Sequence, residues 1–324
     1  MNRLGIDLGG TKIAAVVLGE GGDVRWERRV PTPRDDYDAT LEAIAGLVRE
    51  GLHATAAPAS IGIGMPGIIS PATGLVKNAN STWLIGRALH QDLERGLGQP
   101  IRLANDANCL AVSEAVDGAA AGARVVFAVI LGTGVGGGFA VHGQVIDGAN
   151  AIAGEWGHNP LPWPDADELP GPRCYCGKSG CIETWISGPG LAADHARRGG
   201  GTIKGEDVVA RATGGEALAA GTLDAWLQRL AKSLASIINV VDPDVIVAGG
   251  GLSRIPGLYD RVPQLWGRWV FSDNVVTKFV GAQYGDASGV RGAARLWSPQ
   301  ASVASRRGRV RGGGAPRATE KEGS

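Results

Sequence analysis

The chain has 324 residues, with 32 lysines and arginines against 32 aspartates and glutamates, so its formal net charge is zero. A neutral chain has no long-range field that attracts polyanions or acidic membranes, which argues against a nucleic-acid or membrane-surface partner. With 44% hydrophobic residues, the chain is long enough to bury a large core and to divide into two lobes. A disordered or fibrous protein is therefore excluded for most of its length.

Glycine is over-represented, with 52 residues, yet there is no collagen-like repeat and there are only 17 prolines. This composition favours tight turns and a backbone that approaches a ligand closely. No stretch approaches the roughly 20 apolar residues of a membrane span. The N-terminal sequence MNRLGIDLGG also lacks the apolar region of a signal peptide, so we expect a soluble, cytoplasmic protein.

The pattern along the chain predicts an internally duplicated α/β protein. The first sixty residues are expected to form three strands and a helix, at 4–8, 13–18, 24–30 and 38–51. A similar order of strand, glycine-rich segment and strand returns over 125–146, with chance similarity between two hairpins as the alternative. The predicted domains are an N-terminal α/β lobe over 1–120, a C-terminal α/β lobe over 121–301 and a disordered, Arg- and Gly-rich tail over 302–324.

Polar and glycine residues are concentrated where predicted strands end. The strand at 101–104 leads into Asn105-Asp106-Ala107-Asn108, and the strand at 245–247 leads into the glycines at 249–251. Open α/β sheets bind their ligands at the carboxyl ends of strands. The three glycines would let a flat base lie close to the backbone, with a plain strand-to-helix turn as the alternative.

The segment DLGGTK at 7–12 is a candidate phosphate hairpin. It is not a Walker A loop, because its glycines link two strands rather than a strand and a helix. Its backbone N–H groups and the Thr11 hydroxyl can instead approach a phosphate, and Asp7 can hold a hydrated Mg²⁺ nearby. For two glycines alone, an ordinary turn is the simpler interpretation.

A second glycine-rich hairpin is expected over 131–138. Its glycines formally satisfy the dinucleotide pattern G-x-G-x-x-G at Gly132, Gly134 and Gly137. That pattern requires a helix directly after the loop, and residues 139–141 have the pattern of a strand, so NAD binding is disfavoured. We interpret the segment as a second phosphate hairpin, with Thr133 as the side-chain donor.

Several acidic residues are candidates for proton transfer and sugar binding. Asp106 is expected where a strand becomes a helix, which suits a general base oriented by neighbouring amides. A helix cap is an equally ordinary use of that position, and in isolation it is the favoured one. Glu155 and His158 would share one face of a helical turn, and Glu183 follows the last cysteine. Such grouped carboxylates and amides match the hydroxyls of a sugar.

Cys174, Cys176 and Cys181, with His158 nearby, supply four soft ligands, enough for a closed tetrahedral Zn²⁺ site. A redox disulfide and idle thiols are the less favoured alternatives. Because a closed site cannot activate water, the zinc would be structural and would fix the segment that carries the acidic residues.

An ordered set of motifs gives the chain a specific resemblance to a known family. The motifs are DLGGTK (7–12), GMPG (64–67), NDAN (105–108), LGTGVGGG (131–138), AGEWGH (153–158), CYCGKSGCIE (174–183) and AGGG (248–251). Together they span about Leu4 to Trp297, and the chain resembles the ROK family of sugar kinases, in particular its bacterial fructokinase branch. The resemblance implies an actin/hexokinase-like ATPase fold with two lobes and ATP in the cleft between them.

The resemblance also implies a role for each motif residue. It makes Asp106 the catalytic base and implies nucleotide contacts at Asp7, Gly9, Gly10, Thr11, Lys12, Gly132, Thr133, Gly134, Gly249, Gly250 and Gly251. It implies sugar contacts at Asn105, Asp106, Glu155, His158 and Glu183. The implied zinc ligands are His158, Cys174, Cys176 and Cys181. One departure is the loop over 165–173, which is shorter than in its relatives.

We predict ATP- and Mg²⁺-dependent phosphorylation of a hexose at its 6-hydroxyl, with D-fructose as the first-choice substrate. Kinases of mannose, glucose, N-acetylglucosamine or N-acetylmannosamine share nearly every motif and are the alternatives, together with a catalytically silent sugar sensor. Repressors of the family carry a helix-turn-helix domain before DLGGTK, for which the sequence leaves no room here. The family suggests a homodimer.

Overall fold

The computed structural model describes residues 1–57 and 59–297, so the predicted tail over 302–324 lies outside the described residues. The strands are β1 (Asn2–Leu8), β2 (Lys12–Leu18), β3 (Val24–Pro31), β4 (Ala59–Met65), β5 (Ile68–Ile69), β6 (Val76–Lys77), β7 (Ile101–Asn105), β8 (Val125–Leu131), β9 (Val135–Val141), β10 (Gln144–Val145), β11 (Val245–Gly249) and β12 (Lys278–Gly281). The α-helices are α1 (Tyr37–Thr55), α2 (Leu89–Leu97), α3 (Asp106–Asp117), α4 (Glu183–Ile186), α5 (Gly188–Arg197), α6 (Gly205–Thr213), α7 (Ala217–Val241), α8 (Leu258–Trp266) and α9 (Ser288–Ala294). None of the described helices is long and apolar enough to cross a membrane.

Two five-stranded sheets repeat one topology. The strand order is β3-β2-β1-β4-β7 in the first sheet and β10-β9-β8-β11-β12 in the second. In each sheet, three strands form an antiparallel meander, and two further strands add in parallel beside the first strand of that meander. This repeat confirms the predicted α/β fold with duplicated cores that each contain a hairpin.

The burial of the strands follows from their composition. The interior strand β11 has the sequence VIVAG, and all five of its residues are buried, as expected for a parallel strand covered on both faces. The edge strand β3 alternates apolar and charged residues and is largely exposed. One core forms around Ile6, Ile61 and Leu47, and a second forms around Phe127 and Trp226. The carboxyl ends of the buried strands are therefore held in place by a core on each side.

The second glycine-rich hairpin is shorter than expected. Strand β9 begins at Val135, so the turn is confined to 132–134. The expectation that the next strand begins only at 139, after a glycine-rich hairpin over 131–138, is therefore wrong. Glycine is required within the strand because a Cβ on Gly138 would lie 2.5 Å from the carbonyl oxygen of Ala107. These strand glycines thus allow the start of α3 to pack closely on β9.

Helices α3 and α9 pack against each other and connect the two sheets. Helix α3 contacts strands of both sheets, and α9 contacts β1, β2 and β4 of the first. A Cβ on Gly292 would lie 1.8 Å from the carbonyl oxygen of Cys109, so only glycine permits this approach. The buried Glu114 accepts hydrogen bonds from the Ser288 hydroxyl at 2.7 Å and from the Gln283 backbone N–H at 3.0 Å. The last described helix therefore packs on the first sheet, although it follows the second in the chain.

Candidate active site

The ends of strands β1, β4, β7 and β11 meet at a cavity of about 390 Å³. Of the residues singled out in the sequence, its wall contains Asp7, Gly9, Gly10, Asp106, Gly249 and Gly250. Thr11 and Lys12 belong to the same hairpin as Asp7, but they are exposed and stand outside this lining. The structure thus brings the first phosphate hairpin, the candidate base and the glycines after β11 together around one space.

A larger cavity of about 720 Å³ lies on the other side of the second hairpin. It is lined by Gly132 and Thr133 from that hairpin and by Gly251 after β11. Apolar side chains such as Ile203 and Leu252 form part of its wall. A mostly apolar pocket of this size with a few polar groups is typical of a small-molecule site. Its walls suit a nucleoside, with the hairpin where the phosphates would begin.

The start of α3 separates the roles of Asn105 and Asp106. The Asn105 side-chain oxygen accepts a hydrogen bond from the Asn108 backbone N–H at 2.7 Å, so Asn105 is the N-cap. The interpretation of Asp106 as the cap is therefore wrong. Asp106 is the first residue of the helix, and its carboxylate accepts only the Ala107 N–H at 2.8 Å among the described side-chain hydrogen bonds. Its side chain reaches solvent through the cavity and is available for proton transfer.

The surroundings of the cavity disfavour negative charge. Burial raises the pKa of Asp106, although the amide of Ala107 opposes this effect. The pKa of Asp7 rises from 3.8 to about 6, chiefly through burial and then through the nearby charge of Asp106. Lys12 and Arg29 partly offset this rise. Raised pKa values of this kind are typical of catalytic carboxyl groups that must exchange a proton near neutral pH.

We expect opposite effects of pH on activity and stability. Below about pH 6, Asp7 becomes protonated, and kcat/KM should fall because its expected role requires a carboxylate. The raised pKa of the buried Asp106 acts in the same direction. Between the ordinary Asp7 pKa of 3.8 and the raised value of about 6, the folded state binds more protons than the unfolded chain. The contribution of Asp7 to the free energy of unfolding therefore grows as the pH falls from about 6 to 3.8.

The variant Asp7→Asn tests whether the charge of Asp7 supports activity but lowers stability. It should be nearly inactive, yet its melting temperature at pH 7 should equal or exceed that of the native chain, as measured by calorimetry. A clearly lower melting temperature, or a kcat/KM that is constant down to pH 4, would contradict the account.

The candidate sugar ligands form a second acidic group beside Asp106. Burial raises the pKa of Glu155, and the charges of Asp106 and Glu183 raise it further, whereas His158 lowers it. One Glu183 oxygen accepts the Val135 N–H at 2.9 Å, which ties this carboxylate to the second hairpin. The group is only partly buried, as a set of side chains that binds hydroxyl groups requires.

The four proposed zinc ligands lie together. The ligand atoms of His158, Cys174, Cys176 and Cys181 all lie within 4.8 Å of one another. Three thiols and one imidazole suit a tetrahedral Zn²⁺ site with no open position, so these residues fit the metal. The Nδ1 atom of His158 faces the Cys174 thiol at 3.6 Å, while Nε2 lies 2.9 Å from the Tyr175 hydroxyl. One ring nitrogen therefore faces the cysteines, and the other faces the Tyr175 hydroxyl.

The loop before the cysteines is anchored by buried charges. Glu168 is paired with Arg229 and with Lys232 of α7, both at 2.6 Å, and Asp194 of α5 also pairs with Arg229 at 2.6 Å. All four side chains are at most 6% exposed. Breaking such a network is costly, because an unpaired buried charge results. The loop over 165–173 is thus fixed to the helices despite its short length.

Sequence reasoning did not identify Arg34, Tyr175 or Asp147. Arg34 lines the 390 Å³ cavity. Two residues earlier, the Thr32 hydroxyl donates a hydrogen bond to the Gly9 carbonyl at 2.7 Å. Tyr175 lies between Cys174 and Cys176, and this position was the only feature of the sequence that could have indicated its contact with His158. Asp147 lies within hydrogen-bonding range of Asn108 and follows a short strand that carries no motif.

A model of the ROK family matches residues 3–300. The chain belongs to the ROK family. It is 40% identical to an N-acetyl-D-glucosamine kinase of Escherichia coli over 296 residues, which cover 90% of this chain and 98% of that one. Several further curated relatives of equal similarity carry the same name.

Solved structures confirm the fold. The ROK hexokinase of Thermus thermophilus is 30% identical and matches with a TM-score of 0.81, over 91% of this chain and 97% of that one. The ROK glucokinase of Streptomyces griseus, solved with glucose and AMPPNP, is 27% identical and matches with a TM-score of 0.71, over 91% and 99%. The predicted actin/hexokinase-like fold is therefore confirmed. The expected place in the fructokinase branch is not confirmed, since these relatives are named as an N-acetyl-D-glucosamine kinase, a hexokinase and a glucokinase.

Proposed function

We propose that this ROK family member is an ATP-dependent kinase that phosphorylates N-acetyl-D-glucosamine at its 6-hydroxyl. The observation that carries the proposal is the cavity shared by Asp106, the first hairpin and the glycines after β11. The catalytic class, a sugar kinase, rests on this geometry and on the family. The choice of sugar rests on the 40% identity to an N-acetyl-D-glucosamine kinase along nearly its whole length.

In the proposed reaction, Asp106 accepts the proton of the sugar 6-hydroxyl as its oxygen attacks the γ-phosphorus of ATP. The new O6–P bond forms while the bond to the β,γ-bridging oxygen breaks, and ADP leaves. The Gly10 backbone N–H and the Thr133 hydroxyl hold the phosphate oxygens. The N–H groups of Gly9 and Gly132 instead close the two hairpins by donating to the carbonyls of Lys12 and Gly134, at 3.1 and 3.0 Å. Mg²⁺, when bound with ATP, neutralises phosphate charge, and Asp7 would hold its hydration shell.

The remaining residues position the two substrates. The 720 Å³ cavity between Thr133 and Gly251 is proposed to hold adenosine. Asn105, Glu155, His158 and Glu183 are proposed to bind the sugar hydroxyls, and His158 and the three cysteines would hold a structural zinc ion. Zinc ligation through Nδ1 would leave Nε2 of His158 to contact a sugar hydroxyl in place of the Tyr175 hydroxyl, which it contacts at 2.9 Å. The homodimer suggested by the family stays a prediction.

A coupled assay of ADP release across a sugar panel tests the proposal. We expect kcat/KM for N-acetyl-D-glucosamine to exceed that for D-glucose, D-mannose, N-acetyl-D-mannosamine and D-fructose by about tenfold or more, because one well-placed buried hydrogen bond gives discrimination of this order. A preference for D-fructose would restore the prediction made from the sequence. Sugar binding without any ADP release would identify a silent sensor instead.

A further inference from the structure

A small cavity of about 180 Å³ lies next to the start of α3. Its lining includes Met65, Ile68, Ile69, Asn105, Asn108 and Asp147. We infer that this cavity is the subsite for the 2-acetamido group of the sugar, an inference that rests on the proposed function. Its volume is about six times the roughly 30 Å³ that a water molecule occupies in the liquid, so it suits a substituent of a few heavy atoms.

An unpaired side-chain amide beside this cavity indicates that the cavity can bind a polar group. Asn108 is only 6% exposed, and its Oδ1 atom has no hydrogen-bond partner within the described part of the chain. Its Nδ2 atom makes one long contact, 3.4 Å, to the Asp147 carboxylate. Buried polar atoms are nearly always paired. Because Asn108 lines the cavity, a rotation of its side chain would bring this unpaired oxygen to a polar group bound there.

The chemistry of the lining matches an acetamido group in particular. The N–H of such a group can donate to Asn108 Oδ1 or to the Asp147 carboxylate, and its carbonyl oxygen can accept from an Asn108 amide hydrogen. The buried side chains of Met65 and Ile68 offer an apolar surface to the methyl group. A 2-hydroxyl, as in glucose, has no methyl group and would leave the apolar surface without a contact.

The position of the cavity suits a sugar whose 6-hydroxyl faces Asp106. Asn105 lines the small cavity, and Asp106, the next residue, lines the 390 Å³ cavity proposed for the phosphates. Asn108 lies one helical turn after Asn105 and is held by the same cap, because its backbone N–H is the donor to Asn105. The cap therefore fixes the acetamido site relative to the proposed base.

Substitution of Asn108 tests the inference. We expect Asn108→Ala to lower the preference for N-acetyl-D-glucosamine over D-glucose by about ten- to hundredfold, both in kcat/KM and in the ratio of dissociation constants from calorimetry. Ser113→Ala is the matched control. Ser113 lies on the same helix, is fully buried and also has an unpaired side-chain oxygen, yet it is not part of the cavity lining. It should leave the preference unchanged.

A second variant covers the case in which Asn108→Ala does not fold. Ile69→Phe, in the short strand β5, should fill the cavity from its apolar side and weaken N-acetyl-D-glucosamine selectively. Equal losses for both sugars in these variants, or no loss of preference, would overturn the subsite while the proposed function stands. A native enzyme that binds and phosphorylates D-glucose but not N-acetyl-D-glucosamine would overturn both, and this outcome is visible before any variant is made.

Discussion

The variant Asp106→Asn is expected to have a kcat lower by a factor of about 10² to 10⁴, the usual contribution of a general base. Asparagine keeps the size of the side chain and its hydrogen bond from Ala107, but it cannot accept the proton of the sugar 6-hydroxyl. Nucleotide affinity should change little, because the site proposed for adenosine lies in the neighbouring cavity. Steady-state kinetics and nucleotide titration measure the two effects separately.

The thermal stability of this variant distinguishes lost chemistry from lost folding. Because burial raises the pKa of Asp106, its charge is unfavourable in the folded protein, and the neutral amide should not lower the melting temperature. Asp286→Asn is the matched control, since Asp286 lines the same cavity but makes only a surface contact of 3.4 Å to Arg254. We expect its kcat to be close to native. Near-native turnover in folded Asp106→Asn would remove this residue from the proposed role.

Loss of the zinc site is the second large effect that we expect. In Cys176→Ser, or after chelation, the protein should lose bound zinc, and kcat/KM for the sugar should fall by at least about 100-fold, which is the upper range for disturbed supporting contacts at metal sites. The physical reason is that His158 and Glu183 flank the cysteines, so release of the metal frees the segment that orients them. The melting temperature should also fall, because metal binding contributes to folding.

Elemental analysis shows directly whether zinc is bound, which an activity assay alone cannot show. Cys109→Ala removes a buried thiol outside the cluster and should keep one zinc ion per chain. Hydrogen exchange should show that residues 174–183 become less protected in Cys176→Ser but not in the control. Fully active native protein that contains no zinc would contradict this part of the account.

Much of the fold could be predicted from local patterns. The strands at the centre of each sheet are short, apolar and bounded by glycines, so their positions and the duplication were visible in the sequence. The extent of β9 was not, because three of its residues are glycines, which normally indicate a turn. They are tolerated in the strand since α3 packs directly on them, a tertiary contact that no local pattern reveals.

The site was predicted less completely than the fold. The motif residues around Asp106 meet at one cavity. Which residue caps α3 depends on the backbone at Asn105, and the sequence NDAN, with three polar residues in four, does not determine it. Asn108 appeared as part of a motif without a role, and Asp147 did not appear at all. Their contact joins a helix to a distant loop, and only the folded chain shows it.

The most direct test is a crystal structure of the native enzyme with Mg²⁺, a non-hydrolysable ATP analogue and N-acetyl-D-glucosamine. The account predicts that the sugar 6-hydroxyl lies within about 2.6 to 3.2 Å of an Asp106 oxygen, in line with the γ-phosphorus above the first hairpin. A sugar bound with its 6-hydroxyl directed away from Asp106, or a terminal phosphate outside the cavity that Asp106 lines, would contradict it.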